Sequence, residues 1–478
     1  MIDFKKTNTI FHVFPRQKEE NMNCKKQFLQ GGGKNSLAIF ACFFVFLFSS
    51  CTNRYVVWWP PVIDDKKPLT EDVWDGSVAD YSTILNQIDS GEVRIGSAAE
   101  FAAFRDLVCG KDPSYTDGFL GVEVILDIDL DMTSQNWEPI GDVEIVDAST
   151  VNIAPFLGIF NGNNHTIKYK FEGTDEDLDS YGLFDVTYGL TDPVVIKNLK
   201  LEANVSVPSS YYGAGLIVGM SFGEIHFENC HVLPDSSLSV NDGNWGHAGG
   251  FISYINHGTS FTNCTNGADI TADGYAGGFA GQLYTTAQDY SDVTCEFRDC
   301  HNTGDITSNG WYAGGILGEV DRSDGGTIKY INCSNDGSIS GRDAGGIVGN
   351  NYGQIDEMAN CSGGTSQITG TESSGRLVGR LYSDSTNNDI SIISIDDASG
   401  DSYDSIITIG LLENSNATLQ ITSGTFHGIP QVKNDWTIFI TEDANWVGEG
   451  VPENPSGKSF VLSPGEEGVT ITEKTETP

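Results

Sequence analysis

The residues in this sequence most able to do chemistry are cysteines at the ends of short apolar segments. Each of five cysteines follows an asparagine or aspartate, and these are Cys230, Cys264, Cys300, Cys333 and Cys361. Thiols can bind metal ions, form disulfides or serve as small buried apolar groups. A metal site would require C-x-x-C or Cys/His ligand spacing, which the sequence lacks. We therefore predict no metal site at these positions.

The residue that replaces cysteine in a related segment indicates the role of the position. Ile196-Lys197-Asn198-Leu199 has the same pattern with leucine in the cysteine position, so the position requires an apolar side chain. If successive segments stack in parallel, neighbouring cysteine side chains also run parallel, which suits the torsion of a disulfide poorly. We predict a column of buried free thiols, the cysteine ladder; disulfides and metal binding are the alternatives.

A second candidate group consists of aromatic residues that precede a repeated Ala-Gly-Gly phrase. Its members are Tyr212, Trp245, Tyr275, Trp311 and Tyr312. Aromatic faces provide a large contact area at little entropic cost and suit the docking of sugar rings or of a partner chain. We treat these residues as candidate ligand contacts; the alternative is that they pack on one another and cover a turn.

The sequence contains no complete catalytic motif. HExxH is absent, GxSxG does not occur at a strand-to-helix turn, and neither a P-loop nor a dinucleotide fingerprint is present. A polysaccharide hydrolase needs paired carboxylates, and the segment Gly246-His247-Ala248 has no such partners beside it. We expect a non-catalytic protein, with a polysaccharide lyase or hydrolase as the enzymatic alternative.

Acidic and apolar residues alternate from Val122 to Met132, as in a half-buried strand. Asp127, Asp129 and Asp131 would share the outward face, where they could bind a cation or form a solvated edge that discourages strand pairing. No loop has the EF-hand or RTX spacing. We predict no cofactor, with Ca²⁺ as the alternative.

The elements that position these residues come from a phrase repeated between Tyr212 and Gly379. Its copies begin at Ala214, Ala248, Ala276, Ala313 and Ala344, and a degenerate copy begins at Ser374. The first glycines of the copies lie 34, 28, 37, 31 and 30 residues apart, a period typical of solenoids. Glycines at these positions permit tight turns and close packing of strands.

Each copy continues into a second segment that ends at the Asn/Asp-Cys pair. A third short strand often follows, marked by Ile270, Ile306 and Ile339. Three strands per repeat, each too short to be stable alone, fit three parallel sheets wound around one core. We predict an all-β solenoid over residues 91–386.

Both ends of the array carry signals for caps. Ser97-Ala98-Ala99-Glu100 is a capping box, and Phe101, Phe104 and Leu107 follow at helical spacing. They predict a short helix that covers the first open edge. From about residue 387 the phrase is lost while strand-like segments continue. We predict degenerate final coils and a β-rich cap over residues 387–478; a separate small β-sandwich is the alternative.

Four further segments complete the pattern, namely Trp137-Glu138-Pro139-Ile140-Gly141, residues 156–167, Tyr181-Gly182-Leu183-Phe184 and residues 196–199. Together with the Ala-Gly-Gly copies, they resemble bacterial surface proteins with GLUG-type repeats, over roughly residues 91–380. The resemblance implies a right-handed parallel β-helix that is secreted or surface-anchored and adhesin-like. It transfers no catalytic residue.

The N-terminal residues predict an export signal over residues 1–50, with Met22 as a candidate start. Lys25, Lys26 and Lys34 precede an apolar run of about 12 residues, the length of a signal-peptide core. The run ends at Ser49-Ser50-Cys51, which resembles a bacterial lipobox. We predict lipidation of Cys51, attachment to the outer membrane through acyl chains, and a tether over residues 51–90; secretion after nearby cleavage is the alternative.

The net charge of −40 narrows the function classes. A surface this acidic repels nucleic acid phosphates and anionic membranes, so we expect neither nucleic acid binding nor membrane contact beyond the lipid anchor. We predict a monomeric cell-surface lipoprotein that acts as a rigid binding or adhesion scaffold for a glycan or a protein. The alternatives are the polysaccharide-degrading enzyme and a structural subunit of a surface assembly.

Overall fold

The computed structural model describes residues 71–147, 150–173, 180–189, 191–208, 213–241, 243, 246–285, 294–322, 327–352, 355, 357–364, 366–382, 408–413, 418–421, 424–465 and 468–474. The predicted fold class is confirmed. Short strands pair in parallel through about eight turns of a right-handed solenoid. None of the helices in the described range has the length and apolar character needed to cross a bilayer.

The N-terminal part contains both helices and the first strands. These are β1 Glu71–Val73, α1 Ser82–Ile88, β2 Glu92–Ile95, α2 Ala98–Val108, β3 Glu123–Leu126, β4 Asp129–Asp131, β5 Asp142–Asp147, β6 Thr150–Ala154, β7 Ile159–Asn161 and β8 Thr166–Glu172. β5 and β6 form an antiparallel hairpin. The segment predicted as one strand from Val122 to Met132 is two strands, because the chain turns a corner between β3 and β4.

The central coils supply most of the strands. These are β9 Phe184–Thr187, β10 Val194–Lys197, β11 Lys200–Val207, β12 Ala214–Gly215, β13 Val218–Ser221, β14 Ile225–Glu228, β15 His231–Val232, β16 Ser237–Val240, β17 His247–Gly249, β18 Ile252–Ile255, β19 Thr259–Thr262, β20 Thr265–Asn266, β21 Asp269–Ala272, β22 Tyr275–Gly277, β23 Ala280–Thr285, β24 Thr294–Arg298, β25 His301–Asn302, β26 Ile306–Ser308, β27 Tyr312–Gly314, β28 Leu317–Arg322, β29 Thr327–Ile331, β30 Ser334–Asn335, β31 Ile339–Gly345, β32 Val348–Tyr352, β33 Glu357–Ala359, β34 Ile368–Gly375 and β35 Val378–Tyr382.

The C-terminal part adds eight strands in the described residues. These are β36 Ile409–Glu413, β37 Thr418–Ile421, β38 Gly424–His427, β39 Gln431–Val432, β40 Trp436–Ile440, β41 Ala444–Val447, β42 Lys458–Gly465 and β43 Gly468–Glu473. β36 and β39 extend a central sheet. β42 then pairs antiparallel with both β40 and β43, which ends the parallel coil. Ile390-Ser391-Ile392-Ile393, one of the strand-like segments that follow residue 387 in the sequence, lies outside the described residues.

Three sheets form the walls of the coil. Sheet A consists of β2, β3, β7, β10, β14, β19, β24, β29 and β33, and sheet C consists of β9, β13, β18, β23, β28, β32, β35, β36 and β39. The remaining wall, sheet B, has seventeen strands because a central coil contributes several short pieces to it, such as β20, β21 and β22. The prediction of three sheets therefore holds, but one wall is bent rather than straight.

Buried asparagines make one of the bends in sheet B. Asn266, Asn302 and Asn335 are fully buried and stack one coil apart. The side-chain Nδ2 of Asn266 donates to Asn302 Oδ1 at 2.8 Å, and that of Asn302 donates to Asn335 Oδ1 at 2.7 Å. Each Nδ2 also donates to the backbone carbonyl two residues later. The bend therefore leaves these amide groups hydrogen-bonded inside the fold.

A second asparagine column explains why an asparagine or aspartate precedes each cysteine. The six residues at this position have φ between 53° and 55°, and they are Asn198, Asn229, Asn263, Asp299, Asn332 and Asn360. Asparagine and aspartate tolerate this left-handed conformation better than other side chains do. Their side chains also bond along the column; Asn229 donates to Asn198, and Asn263 donates to Asn229, both at 2.9 Å.

Aromatic rings stack in the same way inside the coil. Phe227, Phe261, Phe297 and Tyr330 occupy successive rungs of sheet A, with ring centroids 4.8, 4.7 and 5.3 Å apart. All four are fully buried. Opposite them, Phe251 and Phe279 stack at 4.7 Å. Identical side chains one coil apart thus fill the core by packing on their own copies.

The repeated glycines are needed where the chain turns from sheet B to sheet C. A Cβ at Gly314 would lie 2.0 Å from the carbonyl oxygen of Leu317, and one at Gly315 would lie 2.2 Å from that of Gly346. Only glycine fits such a close approach. The turn therefore requires both glycines of the Ala-Gly-Gly phrase.

The predicted capping helix is α2. Ser97 Oγ accepts from the backbone NH of Glu100 at 3.2 Å, and the Glu100 carboxylate accepts from the NH of Gly96 at 2.7 Å. Phe101 stacks on Trp137 with 5.1 Å between ring centroids, so α2 covers the first coil with apolar side chains. Upstream, β1 pairs with β4. Residues 71–90 of the predicted tether are therefore built into this cap.

We predict that Asn229 is valuable both for its conformation and for its hydrogen bonds. Asn229→Gly should cost about 1–2 kcal/mol for the lost ladder bonds, and Asn229→Ala about 1 kcal/mol more because alanine is strained at positive φ. Urea denaturation monitored by circular dichroism measures both. Glu228→Ala, at the exposed neighbouring position, is the control and should change stability by less than about 0.5 kcal/mol. Equal stabilities of the glycine and alanine variants would contradict the conformational part.

Candidate functional site

The predicted cysteine ladder lies along the corner between sheets A and B. Its five cysteines, Cys230, Cys264, Cys300, Cys333 and Cys361, are fully buried and carry free thiols. Each Sγ contacts backbone carbonyl oxygens, as Cys230 does at 3.3 Å from Ile196 O. Burial raises the pKa of the Cys264, Cys300 and Cys361 thiols well above the ordinary value. Thiols with raised pKa values are poor nucleophiles, so Cys264, Cys300 and Cys361 suit packing rather than chemistry.

Two of the five candidate aromatic contacts, Tyr212 and Trp245, lie outside the described residues, as does Cys51. Tyr275 and Tyr312 are mostly buried, and their rings stack at 5.5 Å. His247 stacks on the other side of Tyr275 at 4.9 Å. The structure thus places Tyr275 and Tyr312 in a stack in which the rings cover one another.

Trp311 and Tyr312 are also covered by an arginine from the next coil. The guanidinium of Arg342 lies 4.3 Å from the ring centroid of Trp311 and donates to the Tyr312 hydroxyl at 2.7 Å. Arg342 therefore covers much of the aromatic surface that we predicted from the sequence to contact a ligand. The open surface lies beside this stack, on sheet C.

Two outward-facing columns of sheet C form that surface. The inner column consists of Gln282, Glu319, Asn350 and Arg380, aligned on successive strands by the register of the sheet. The outer column, aligned in the same way, consists of Tyr284, Asp321, Tyr352 and Tyr382. On three of the four strands an apolar side chain between the columns packs into the core, and these are Leu283, Val320 and Leu381.

The last three members of each column and Tyr312 line an open cleft of about 410 Å³, which we call the tyrosine cleft. Its lining residues are Tyr312, Glu319, Asp321, Asn350, Tyr352, Arg380 and Tyr382. Tyr352 and Tyr382 stack with ring centroids 4.5 Å apart. Three strands, β28, β32 and β35, supply six of the seven side chains, so the shape of the cleft is fixed by the stacking of three coils.

Glu319 is held by amide groups from both neighbouring coils. Gln282 Nε2 donates to Glu319 Oε2 at 2.7 Å, and Asn350 Nδ2 donates to Oε1 at 3.1 Å. The Tyr275 hydroxyl is a further partner of this carboxylate. Burial, followed by the nearby charge of Asp321, raises the pKa of Glu319 to about 7. At neutral pH the ladder therefore holds a carboxyl group close to its midpoint of titration.

Arg380 is the cation of the cleft and is already paired. Its guanidinium contacts Asp343 Oδ2 at 3.4 Å and a carboxylate oxygen of Glu413. Asp343 is fully buried, and the pKa of Arg380 is raised by its charge and by that of Glu413, against the opposing effect of burial. The positive charge of Arg380 is thus balanced before any ligand arrives.

Polar atoms in the tyrosine cleft lack partners among the described residues. Asn350 Oδ1 and Arg380 Nε are buried and make no hydrogen bond. The Asn350 residue as a whole is only 5% exposed. Asp321 is half-buried, and burial raises its pKa. Buried polar groups are rarely left unpaired, so Asn350 Oδ1 and Arg380 Nε are candidate contacts for a ligand or for water.

The acidic row, for which cation binding and a solvated edge were the two alternatives, does not converge on one point. Asp127 pairs with Arg94 at 2.7 Å, whereas Asp129 accepts from Thr166 NH and contacts His165, each at 2.9 Å. Asp131 instead bonds to the hydroxyl and NH of Thr133. Across the described residues, no group of three or more His, Cys, Asp or Glu side chains is arranged to hold a metal ion.

The sequence does carry a signal for the tyrosine cleft, although a weak one. Three successive copies of the repeated phrase end at Gly318, Gly349 and Gly379. The next three residues are Glu319-Val320-Asp321, Asn350-Asn351-Tyr352 and Arg380-Leu381-Tyr382. Aligning these triplets one below another brings the two outward columns together. Sequence reasoning predicted only Tyr312 among the seven lining residues.

Comparison with known proteins adds little to this description. No family model matches the chain, and no curated protein matches it. Among solved structures, the chain is similar to the crystal structure of a "putative immunoglobulin A1 protease" from Bacteroides ovatus, with a TM-score of 0.36 and 17% identity. The match covers 75% of this chain and 85% of the other. A similarity of this size says nothing about what this chain does.

We predict that Glu319→Gln stabilises the protein at alkaline pH. The pKa of Glu319 rises from 4.5 to about 7 on folding, so the folded state binds more protons and stability falls as the pH increases through this window. Glutamine carries no charge to desolvate. After rotation of the Asn350 amide, Nε2 of the new glutamine donates to Asn350 Oδ1, so an amide ladder forms without that penalty. The gain should approach about 3 kcal/mol at pH 8 and vanish near pH 4.

Urea denaturation of wild type and variant at pH 4 and pH 8 measures this difference. Glu228→Gln, at an exposed position on β14, is the control and should show no pH-dependent gain. A Glu319→Gln effect of the same size at both pH values would mean that the titration of Glu319 is not the cause.

Proposed function

We propose that this chain is an outer-membrane surface lipoprotein with GLUG-type repeats, whose β-helix is a rigid, non-catalytic scaffold that binds a glycan or a protein in the tyrosine cleft. The observation that carries the proposal is the unpaired amide oxygen of Asn350, which is buried in the wall of that cleft. A structure that buries such an atom loses free energy unless a ligand or water completes its hydrogen bonds.

The rigidity of the site supports a binding role. Each lining side chain of sheet C sits on a strand that is hydrogen-bonded to a strand on either side. Tyr352 and Tyr382 hold each other by stacking, and Asn350 is held by Glu319. Preformed sites of this kind lose little conformational entropy when a ligand binds.

The same contacts argue against a catalytic use of Glu319. A general acid or base must present a carboxyl oxygen to the substrate, yet both oxygens of Glu319 accept hydrogen bonds from amide groups. Asp321 is the remaining carboxylate of the cleft, and a glycosidase requires two such groups. Binding without turnover is therefore the function that this geometry supports best.

The binding proposal is tested on a glycan array and on an array of matrix and envelope proteins, probed with the full-length chain. We expect a ligand whose affinity falls at least tenfold in Tyr382→Ala, equivalent to about 1.4 kcal/mol. Tyr284→Ala is the matched control, because Tyr284 lies in the same column outside the cleft. Equal binding of the ligands by wild type and Tyr382→Ala would show that the binding site lies outside the tyrosine cleft.

Turnover is measured on the same glycans. Release of reducing ends or of unsaturated products at a rate that Tyr382→Ala abolishes would replace the scaffold proposal with the enzymatic one. Capture of components of the bacterial envelope alone, through the tyrosine cleft, would instead favour a subunit of a surface assembly.

The proposed lipid anchor predicts acylation at Cys51. In cells fed radiolabelled palmitate, the wild-type chain should carry label and fractionate with the outer membrane, whereas Cys51→Ser should lose both properties. Digestion of intact cells with protease tests surface exposure. Label retained in Cys51→Ser would contradict the anchor assignment, while leaving the role of the tyrosine cleft open to its own test.

A further inference from the structure

The unpaired groups of the tyrosine cleft select among ligand chemistries. We infer that the cleft binds an uncharged sugar residue of a glycan, with one pyranose ring against Tyr352 or Tyr382 and its hydroxyl groups on Asn350, Asp321 and Arg380. This inference rests on the proposed function and narrows its ligand from a glycan or a protein to a neutral glycan.

The hydrogen-bond donors and acceptors of the tyrosine cleft favour a ligand with hydroxyl groups. Asn350 Oδ1 lacks a donor and Arg380 Nε lacks an acceptor. The half-buried Asp321 carboxylate lines the same cleft and accepts hydrogen bonds from any donor placed there. A hydroxyl group is both a donor and an acceptor, so neighbouring sugar hydroxyls satisfy all three groups. An ammonium group offers only donors and a carboxylate offers only acceptors, so each would leave part of the cleft unpaired.

The charges of the tyrosine cleft disfavour an acidic ligand. Asp321 and Glu319 place two carboxyl groups in the cleft, while the guanidinium of Arg380 is already shared by Asp343 and Glu413. A uronic acid would bring a further negative charge to a partly buried site with no free cation among its lining residues. Such like-charge contacts are strongly unfavourable where the surroundings are desolvated. The cleft therefore discriminates against acidic glycans.

The two stacked tyrosines of the cleft suit a sugar ring. Tyr352 and Tyr382 are half-buried and rigidly stacked at the rim of the cleft. Aromatic side chains of this kind combine a large apolar face with a polar hydroxyl, which matches a pyranose with an apolar C–H face and a ring of hydroxyl groups. The cleft volume of about 410 Å³ accommodates a ligand of one or two sugar residues.

Isothermal titration calorimetry on the full-length chain tests the inference. The neutral probes are cellohexaose, xylohexaose, mannohexaose and maltohexaose; the charged probes are hexagalacturonate and the hexamer of glucosamine. We expect at least one neutral hexasaccharide to bind, with an affinity at least tenfold higher than that of hexagalacturonate and no lower than that of the glucosamine hexamer. Asp321→Asn, which preserves shape, and Tyr352→Ala should each weaken this binding at least tenfold.

Two controls separate site effects from misfolding. Tyr284→Ala should bind the neutral probe within twofold of wild type, and thermal unfolding should show that Asp321→Asn remains folded. Tighter binding of hexagalacturonate or of the glucosamine hexamer than of every neutral probe would overturn the inference. So would neutral binding that Asp321→Asn and Tyr352→Ala leave unchanged, or the absence of binding by all four neutral probes.

The failure of this inference is distinguishable from failure of the proposed function. If a protein on the array binds and Tyr382→Ala abolishes that binding, the scaffold proposal stands and the neutral-glycan inference falls. If ligands bind but are insensitive to every variant in the tyrosine cleft, both fall.

Discussion

Parallel stacking of one coil on the next is the constraint on which the rest of this structure depends. It makes the equivalent residue of the adjacent coil a close neighbour of each side chain in a strand, as for Phe261 between Phe227 and Phe297. A residue type is therefore acceptable only if it can pack on, or hydrogen-bond to, the residues above and below it. Aromatic stacks, amide ladders and buried thiols are three solutions to that requirement.

The same constraint explains how a carboxyl group comes to lie in the wall of a solenoid. Amides stack well because each can donate to one neighbour and accept from the other, as Asn302 does between Asn266 and Asn335. A carboxylate at position 319 can only accept, so the amides of Gln282 and Asn350 both donate to it. The Asn350 amide then has its oxygen left over. The unpaired atom of the tyrosine cleft is thus a consequence of breaking the ladder.

Periodicity in the sequence predicted the parallel coil, the capping helix and the columns whose residue types repeat, because glycine, cysteine and phenylalanine return with each turn. The bend at Asn266 and the left-handed asparagines were missed, since their conformations are set by the path of the coil. The tyrosine cleft was missed for a different reason: Gln282, Glu319, Asn350 and Arg380 share a column but no chemistry. Each directly follows the last glycine of a copy, so only an alignment of the copies on that glycine shows that strand register brings these four residues together.

The central claim is that this break in the ladder is a ligand site. A crystal structure of the full-length chain, soaked with the neutral hexasaccharide that binds most tightly in calorimetry, tests it most directly. The account predicts a pyranose ring against Tyr352 or Tyr382 and a sugar hydroxyl within hydrogen-bond distance of Asn350 Oδ1. An oligosaccharide bound on another surface, with only solvent in the tyrosine cleft, would contradict it.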